Sequence, residues 1–102
     1  MNRIFSMIGL GRRAGKVTAG QVAVEQAVKS KKACLVIVAT DASDRSKKDF
    51  KSMCEYRHIP CLEYGLMEEL GHAVGGEFNA ALAVSDSGFA NQILKLAEEE
   101  KK

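Results

Sequence analysis

Ala33-Cys34-Leu35-Val36-Ile37-Val38-Ala39-Thr40-Asp41-Ala42-Ser43 is the stretch that decides how this chain folds. Leu35 to Val38 form an unbroken aliphatic run, flanked by Ala33 and Ala39, and such a run reads as a buried strand. The polar residues after it end the strand. Asp41 or Ser43 then caps a helix, because a short side-chain oxygen accepts the N–H groups that a first turn leaves free. That helix is predicted to reach about Arg57. Its inward stripe is Phe50, Met53, Cys54 and Arg57, with Lys47, Lys48 and Lys51 on other faces.

Upstream, Met1, Ile4, Phe5 and Ile8 are spaced by three and four, which marks an amphipathic helix. It is predicted to end near Gly9 or Gly11, since glycine favours helix ends. Lys16-Val17-Thr18 is a short extended segment, and Ala19-Gly20 opens a second helix over about Gln21 to Ser30. Downstream, Pro60 begins a strand at Cys61 to Tyr64, a position where proline is tolerated. Leu66, Met67, Leu70, Ala73 and Val74 form a fourth helix, ended by Gly75-Gly76. Ala80 to Ser85 is a strand, and Ser85 or Asp86 caps a last helix carrying Phe89, Ile93 and Leu96. Alternating helices and strands with short connections predict an α/β fold, a three-layer α/β/α sandwich in a single domain over residues 1–97. Residues 98–102 are all charged and are expected to fray.

The 102 residues fit one domain, and 46% hydrophobic content supplies a core. No apolar run approaches a membrane span, and the first eight residues do not read as a secretory signal. Three cysteines, Cys34, Cys54 and Cys61, contain no C-x-x-C pair, which fits a reducing cytoplasm. The formal net charge of +2 hides a polarity. Residues 1–51 hold eleven Lys/Arg against four Asp/Glu, and residues 52–102 hold four against nine. A chain polarised in this way can turn a basic face to a polyanion.

Four constellations could carry chemistry. Gly9-Leu-Gly11-Arg12-Arg13-Ala14 matches G-x-G-x-x-A, with Asp41 after a later strand. A dinucleotide site needs those glycines in a strand-to-helix turn. The helical spacing before them points instead to a helix end followed by a basic turn. Cys54, His58 and Cys61 follow C-x3-H-x2-C. Structural zinc takes four ligands, and no fourth is evident, although His72 is available. The cysteines are expected to be reduced and free of metal. His58 and His72 have no nucleophile elbow or orienting acid beside them, so no enzyme is expected. The fourth is the set of basic and small residues at loop ends. Arg12, Arg13 and Lys16 precede Gly20, which opens a helix where phosphate can sit. Gly75-Gly76-Glu77-Phe78 is a second small-residue loop that a nucleic acid can approach closely.

The blocks Gly9-Leu-Gly11-Arg12-Arg13-Ala14-Gly15-Lys16-Val17, then Gly20, then Leu35 to Ser43, then Leu70-Gly71-His72-Ala73-Val74-Gly75 resemble one family. It is the ribosomal protein L7Ae/L30e superfamily, with its small bacterial YlxQ-type members most similar. The resemblance runs from Ile4 to about Leu94 with the blocks in family order. It implies a four-stranded mixed sheet within the sandwich, no cofactor, and binding of kink-turn RNA. The resemblance further implies that the loop at Gly20 reads sheared G·A pairs and that the loop after Leu70–Gly75 packs on flipped bulge nucleotides. One departure stands out. Family members follow the first glycine with x-Asn-Glu and a Lys one turn on. Here those positions are Val22, Ala23 and Gln26.

The chain is therefore expected to be a cytoplasmic, non-enzymatic RNA-binding protein, monomeric, partnered by structured RNA such as a kink-turn or ribosomal RNA, with ribosomal or other proteins as further partners and no membrane. Gly20, Gln21 and Val22 are expected to line a first contact loop. Val74, Gly75, Gly76 and Glu77 are expected to line a second. Arg12, Arg13 and Lys16 are expected to neutralise phosphates, and Asp41, Ala42 and Ser43 to border the site. The missing Asn-Glu pair favours a different class, a protein-interaction module that kept the fold and lost specific RNA binding.

Overall fold

The computed structural model describes residues 2–101. Among them the helices are α1 (Arg3–Arg13), α2 (Gln21–Lys29), α3 (Asp44–Tyr56), α4 (Met67–Ala73) and α5 (Ser87–Glu100). The strands are β1 (Val17–Ala19), β2 (Leu35–Val38), β3 (Cys61–Glu63) and β4 (Ala81–Val84). They form one sheet in the order β1-β4-β2-β3. β4 runs antiparallel to β1 and β2, while β3 runs parallel to β2. Ile37 stands opposite Leu82 on one side and Leu62 on the other.

Every residue of β2 and β4 is buried, so both faces of the sheet are covered. α1, α4 and α5 pack together on one face, and α2 and α3 on the other. The core is made where their apolar stripes meet: Ile4 and Ile8 from α1, Val24 and Val28 from α2, Phe50 and Cys54 from α3, Leu70 from α4 and Ile93 from α5. No described helix is long and apolar enough to cross a membrane.

Two boundaries differ from the sequence expectation. α1 does not stop at Gly9 or Gly11 but runs to Arg13. Gly11 is a packing residue: a β-carbon there would come within 2.8 Å of the Val17 side chain. The stop comes at Gly15, with φ +74. Gly15 N–H donates to Arg12 O and Lys16 N–H donates to Gly11 O, the paired bonds of a Schellman end. At the other terminus the charged tail is helical as far as Glu100 rather than frayed from Glu98. The Tyr64 hydroxyl donates to the Glu100 carboxylate at 2.9 Å and accepts from Asn2 Nδ2 at 2.6 Å, so the residue after β3 ties the start of α1 to the end of α5. The proposed stripe member Met1 and the tail residue Lys102 lie outside the described residues.

Strand direction decides which loops meet. β1, β2 and β3 all end where β4 begins. Gly20 N–H donates to Ala81 O and Ala39 N–H donates to Ala80 O, closing this end of the sheet.

Candidate functional site

The starts of α2, α3 and α4 and the α4–β4 loop therefore gather at one end of the sheet. This brings Gly20–Val22, Asp41–Ser43 and Val74–Glu77 together, three groups scattered over the sequence. Gly20 is the N-cap of α2 with φ +101 and ψ 147, a conformation open to glycine and costly for other residues. A β-carbon on it would meet nothing within 4 Å, so the backbone is open from outside. No side chain caps α2, and its first turn holds no acid. The other four described helix starts are each closed. Asn2 accepts from Ile4 and Phe5 N–H, Ser43 from Ser46 N–H, Asp41 from Met67 N–H and Asp86 from Phe89 N–H. α2 thus leaves its first N–H groups to an outside acceptor, at the positive end of the helix dipole. Gln21 is exposed beside them, and Val22 is 73% exposed, an unusual place for a branched apolar side chain.

The second loop is shaped by its glycines. Gly75, at φ +80, ends α4, and Gly76 N–H donates to Gly71 O at 2.8 Å. Gly71 is buried against the backbone of Glu77 and Phe78, which fixes how the loop turns back to β4. Gly76 has an ordinary φ, and a β-carbon there would approach nothing closer than 3.6 Å. Gly75, Gly76 and Glu77 are exposed, Val74 is half-buried, and Phe78 is 66% exposed. Phe78 is not among the contact residues expected from the sequence. An aromatic inside a glycine-rich loop is the signal that marks it.

Asp41, Ala42 and Ser43 border this end but serve the fold. Asp41 Oδ1 accepts from Met67 N–H at 2.8 Å, Ala42 is buried, and Ser43 caps α3. The basic trio is divided. Lys16 and Arg12 lie at the opposite end of β1, where Ser85 N–H donates to Lys16 O and Arg12 donates to Val17 O at 3.0 Å. They are not beside the glycine loops, because a three-residue strand separates them by about 10 Å. Arg13 faces the other way. With Leu10, Glu69 and His72 it lines an open groove of about 560 Å³ between α1 and α4.

The remaining constellations resolve by geometry. Ile4 to Ile8 are helical and both Gly9 and Gly11 sit inside α1, so no strand-to-helix turn exists there for a pyrophosphate. Cys54 is buried, Cys61 is half-buried, and His58 is exposed with φ +58. A hydrogen bond with Cys61, together with burial, pushes the Cys54 thiol far above its ordinary value; the same bond draws Cys61 down. Among the described residues no three His, Cys, Asp or Glu side chains are grouped to hold a metal ion.

An α/β/α sandwich that presents two glycine loops and an open helix start at one end of its sheet is the class that this geometry defines. The chain belongs to the ribosomal protein L7Ae/L30e/S12e/Gadd45 family, whose sequence pattern matches residues 2–94. It is 33% identical over 94 residues to the RNA-binding protein YlxQ of Bacillus subtilis (strain 168), covering 92% of this chain and 94% of that one. It is 32% identical over 96 residues to the RNA-binding protein YlxQ of Enterococcus faecium, covering 94% and 92%. A solved protein of unknown function from Bacillus halodurans superposes with a TM-score of 0.92 at 30% identity, covering 96% of this chain and 99% of that one. The Giardia lamblia 15.5kD RNA binding protein superposes with a TM-score of 0.78 at 20% identity, covering 93% and 82%, and shares the fold.

Proposed function

We propose that this protein is a non-catalytic RNA-binding protein that docks structured, kink-turn-like RNA on the glycine end of its sheet. The observation that carries this is the open start of α2. Its N–H groups, without a cap or an acid, stand at a glycine whose outer face is bare, and a phosphate or a base-edge acceptor fits there. The similarity to two YlxQ proteins named for RNA binding supports the partner class. Gly20, Gln21 and Val22 form the first contact. Val74, Gly75, Gly76 and Glu77 form the second, with Phe78 as a ring for an unpaired base. Arg13 borders the second contact from across the groove, and Asp41, Ala42 and Ser43 hold the starts of α3 and α4 beside it.

Val22 and Ala23 stand where the family resemblance expects Asn and Glu. Neither offers a side-chain hydrogen bond to a sheared G·A pair. Recognition then rests on backbone donors, shape and stacking, and discrimination between kinked and straight RNA is correspondingly modest. We assign the protein to the cytoplasm, as a monomer associated with ribosomal or other structured RNA, consistent with three unpaired cysteines.

A gel-shift of the purified protein against a kink-turn RNA and a matched unbent duplex tests this. Tighter binding to the kink-turn is expected, and equal binding would overturn kink-turn recognition. One observation favours a second class, a protein-interaction module: Val22 is an exposed apolar side chain where a polar reader is expected. Absence of any RNA binding at low salt would favour that class.

A further inference from the structure

At the end of the sheet opposite the glycine loops, α1, α2 and α3 all terminate. Each is stopped by a left-handed residue, Gly15 (φ +74), Lys31 (φ +61) and His58 (φ +58). The three turns present Arg12, Lys16, Lys29, Lys31, Lys32 and Arg57. Backbone bonds hold the turns in one row. Ser85 N–H donates to Lys16 O at 2.8 Å, Cys34 N–H to Val84 O at 2.7 Å and Val36 N–H to Pro60 O at 3.0 Å.

Helix C-termini attract cations, so some of this charge balances dipoles. Three C-termini supply only about −1.5 charges in all, well short of six cations. Carboxylates offset only part of the rest. Among the described residues none of the six forms an ion pair; the pairs present join Lys47, Lys51 and Lys101 to acids elsewhere. Asp86, the carboxylate of the β4–α5 turn, caps α5 and keeps its charge, so it offsets about one of the six cations and leaves this end basic. Beside the cations Tyr56 is 80% exposed, with the Arg57 guanidinium 5.3 Å from its ring centroid.

We propose that this end is a second RNA-binding surface, which holds the phosphate backbone of an RNA segment other than the one at the glycine loops and stacks an unpaired base on Tyr56. Four adjacent strands span about 14 Å, the reach of about four phosphates along one strand of a duplex. The molecule measures 32 × 29 × 26 Å with the two surfaces at opposite ends of the sheet, so one RNA helix docked across the first leaves the second free. An exposed aromatic among unpaired cations favours nucleic acid over an acidic protein, which offers no base to stack. The source of the RNA rests on the proposed function, but the surface is tested separately from it.

The test titrates a labelled blunt RNA duplex, and the same duplex with a single-stranded overhang, into the free protein and into its one-to-one complex with an unlabelled kink-turn RNA. Both duplexes are expected to bind in both cases, the overhang form more tightly, and the one-to-one complex to take up the duplex as a ternary complex. The triple variant Lys29→Ala, Lys31→Ala, Lys32→Ala should lose about tenfold or more in duplex affinity at moderate salt, and its salt slope should fall by about 0.9 for each contact removed. Its kink-turn affinity should be far less affected. Tyr56→Ala should remove the overhang preference alone. Displacement of the duplex by kink-turn RNA would overturn the proposal by placing both RNAs on one surface. So would unchanged duplex binding in the triple variant, or binding of anionic phosphatidylserine vesicles without RNA. Failure of the kink-turn RNA to bind while the duplex still does would remove the proposed function and leave this surface standing.

Discussion

Gly20 and Gly76 each sit in one of the two proposed contact loops, yet their backbones differ. Gly20 holds φ +101, so any side chain there is strained even though the space outside is empty. Gly20→Ala is expected to cost about 1–3 kcal/mol of stability, seen in thermal melts. Gly76 has no such restriction, and Gly76→Leu should change stability by no more than about 0.5 kcal/mol. In the proposed interface the same leucine obstructs RNA and lowers affinity. Normal affinity in a well-folded Gly76→Leu protein would remove the second loop from the site. Gly71 sets the opposite extreme. A β-carbon there strikes the backbone of Glu77 and would lie 2.7 Å from Phe78 N, so Gly71→Ala is expected to cost about 3 kcal/mol or more. Gly20 and Gly75 are legible in the sequence because each follows one element and opens or closes the next. Gly9 and Gly11 are not, because a glycine that faces a neighbouring helix or strand looks the same in sequence as one that takes a left-handed turn.

Tyr64 links three elements. It follows β3, packs its ring on Phe5 of α1 at a centroid separation of 5.5 Å, and donates to Glu100 at the end of α5. Burial, opposed by the Asn2 hydrogen bond and reinforced by Glu100, raises its pKa above the ordinary 10.0. A raised pKa in the folded state gives stability that is complete below the unfolded value and lost as pH climbs through the folded one. Chemical unfolding followed from pH 8 upward should therefore show a loss beginning near pH 10, and Tyr64→Phe should remove that component. The substitution should also cost about 1 kcal/mol at neutral pH. A curve for Tyr64→Phe that parallels the parent through the alkaline range would assign the effect to other groups. The alternating elements themselves are legible, since aliphatic runs and three-four spacing survive without any alignment. The role of Asp41 in starting α4 is not, because its partner Met67 lies 26 residues away and only the fold brings them together. The same holds for the helical tail, whose composition suggests fraying until Tyr64 is seen to hold it.

At the scale of the whole molecule, charged residues that neighbour one another along the chain are separated in space. Arg12 and Lys16 neighbour Gly20 in sequence, and a single short strand carries them to the far end of the sheet. Which end a loop occupies depends on strand direction, and spacing along a chain does not encode it. An RNA that binds only the folded protein should stabilise it by mass action. Kink-turn RNA at a hundredfold excess over its Kd is expected to add about 2.7 kcal/mol, a rise in melting temperature that grows with RNA concentration. A melting temperature independent of kink-turn RNA at concentrations far above a measured Kd would mean that the unfolded chain binds as well.

The open start of α2 has a consequence for dynamics. The amides of Gln21, Val22 and Ala23 have no acceptor within the first turn of their helix, so they should exchange hydrogen with solvent freely in the isolated protein. In the proposed complex, RNA supplies the missing acceptor and becomes, in effect, the residue that begins the helix. Exchange at these three positions should then slow together on binding, while amides at the closed start of α5 keep their rates. On that proposal the partner finishes the protein's own secondary structure, and recognition and local folding become one event.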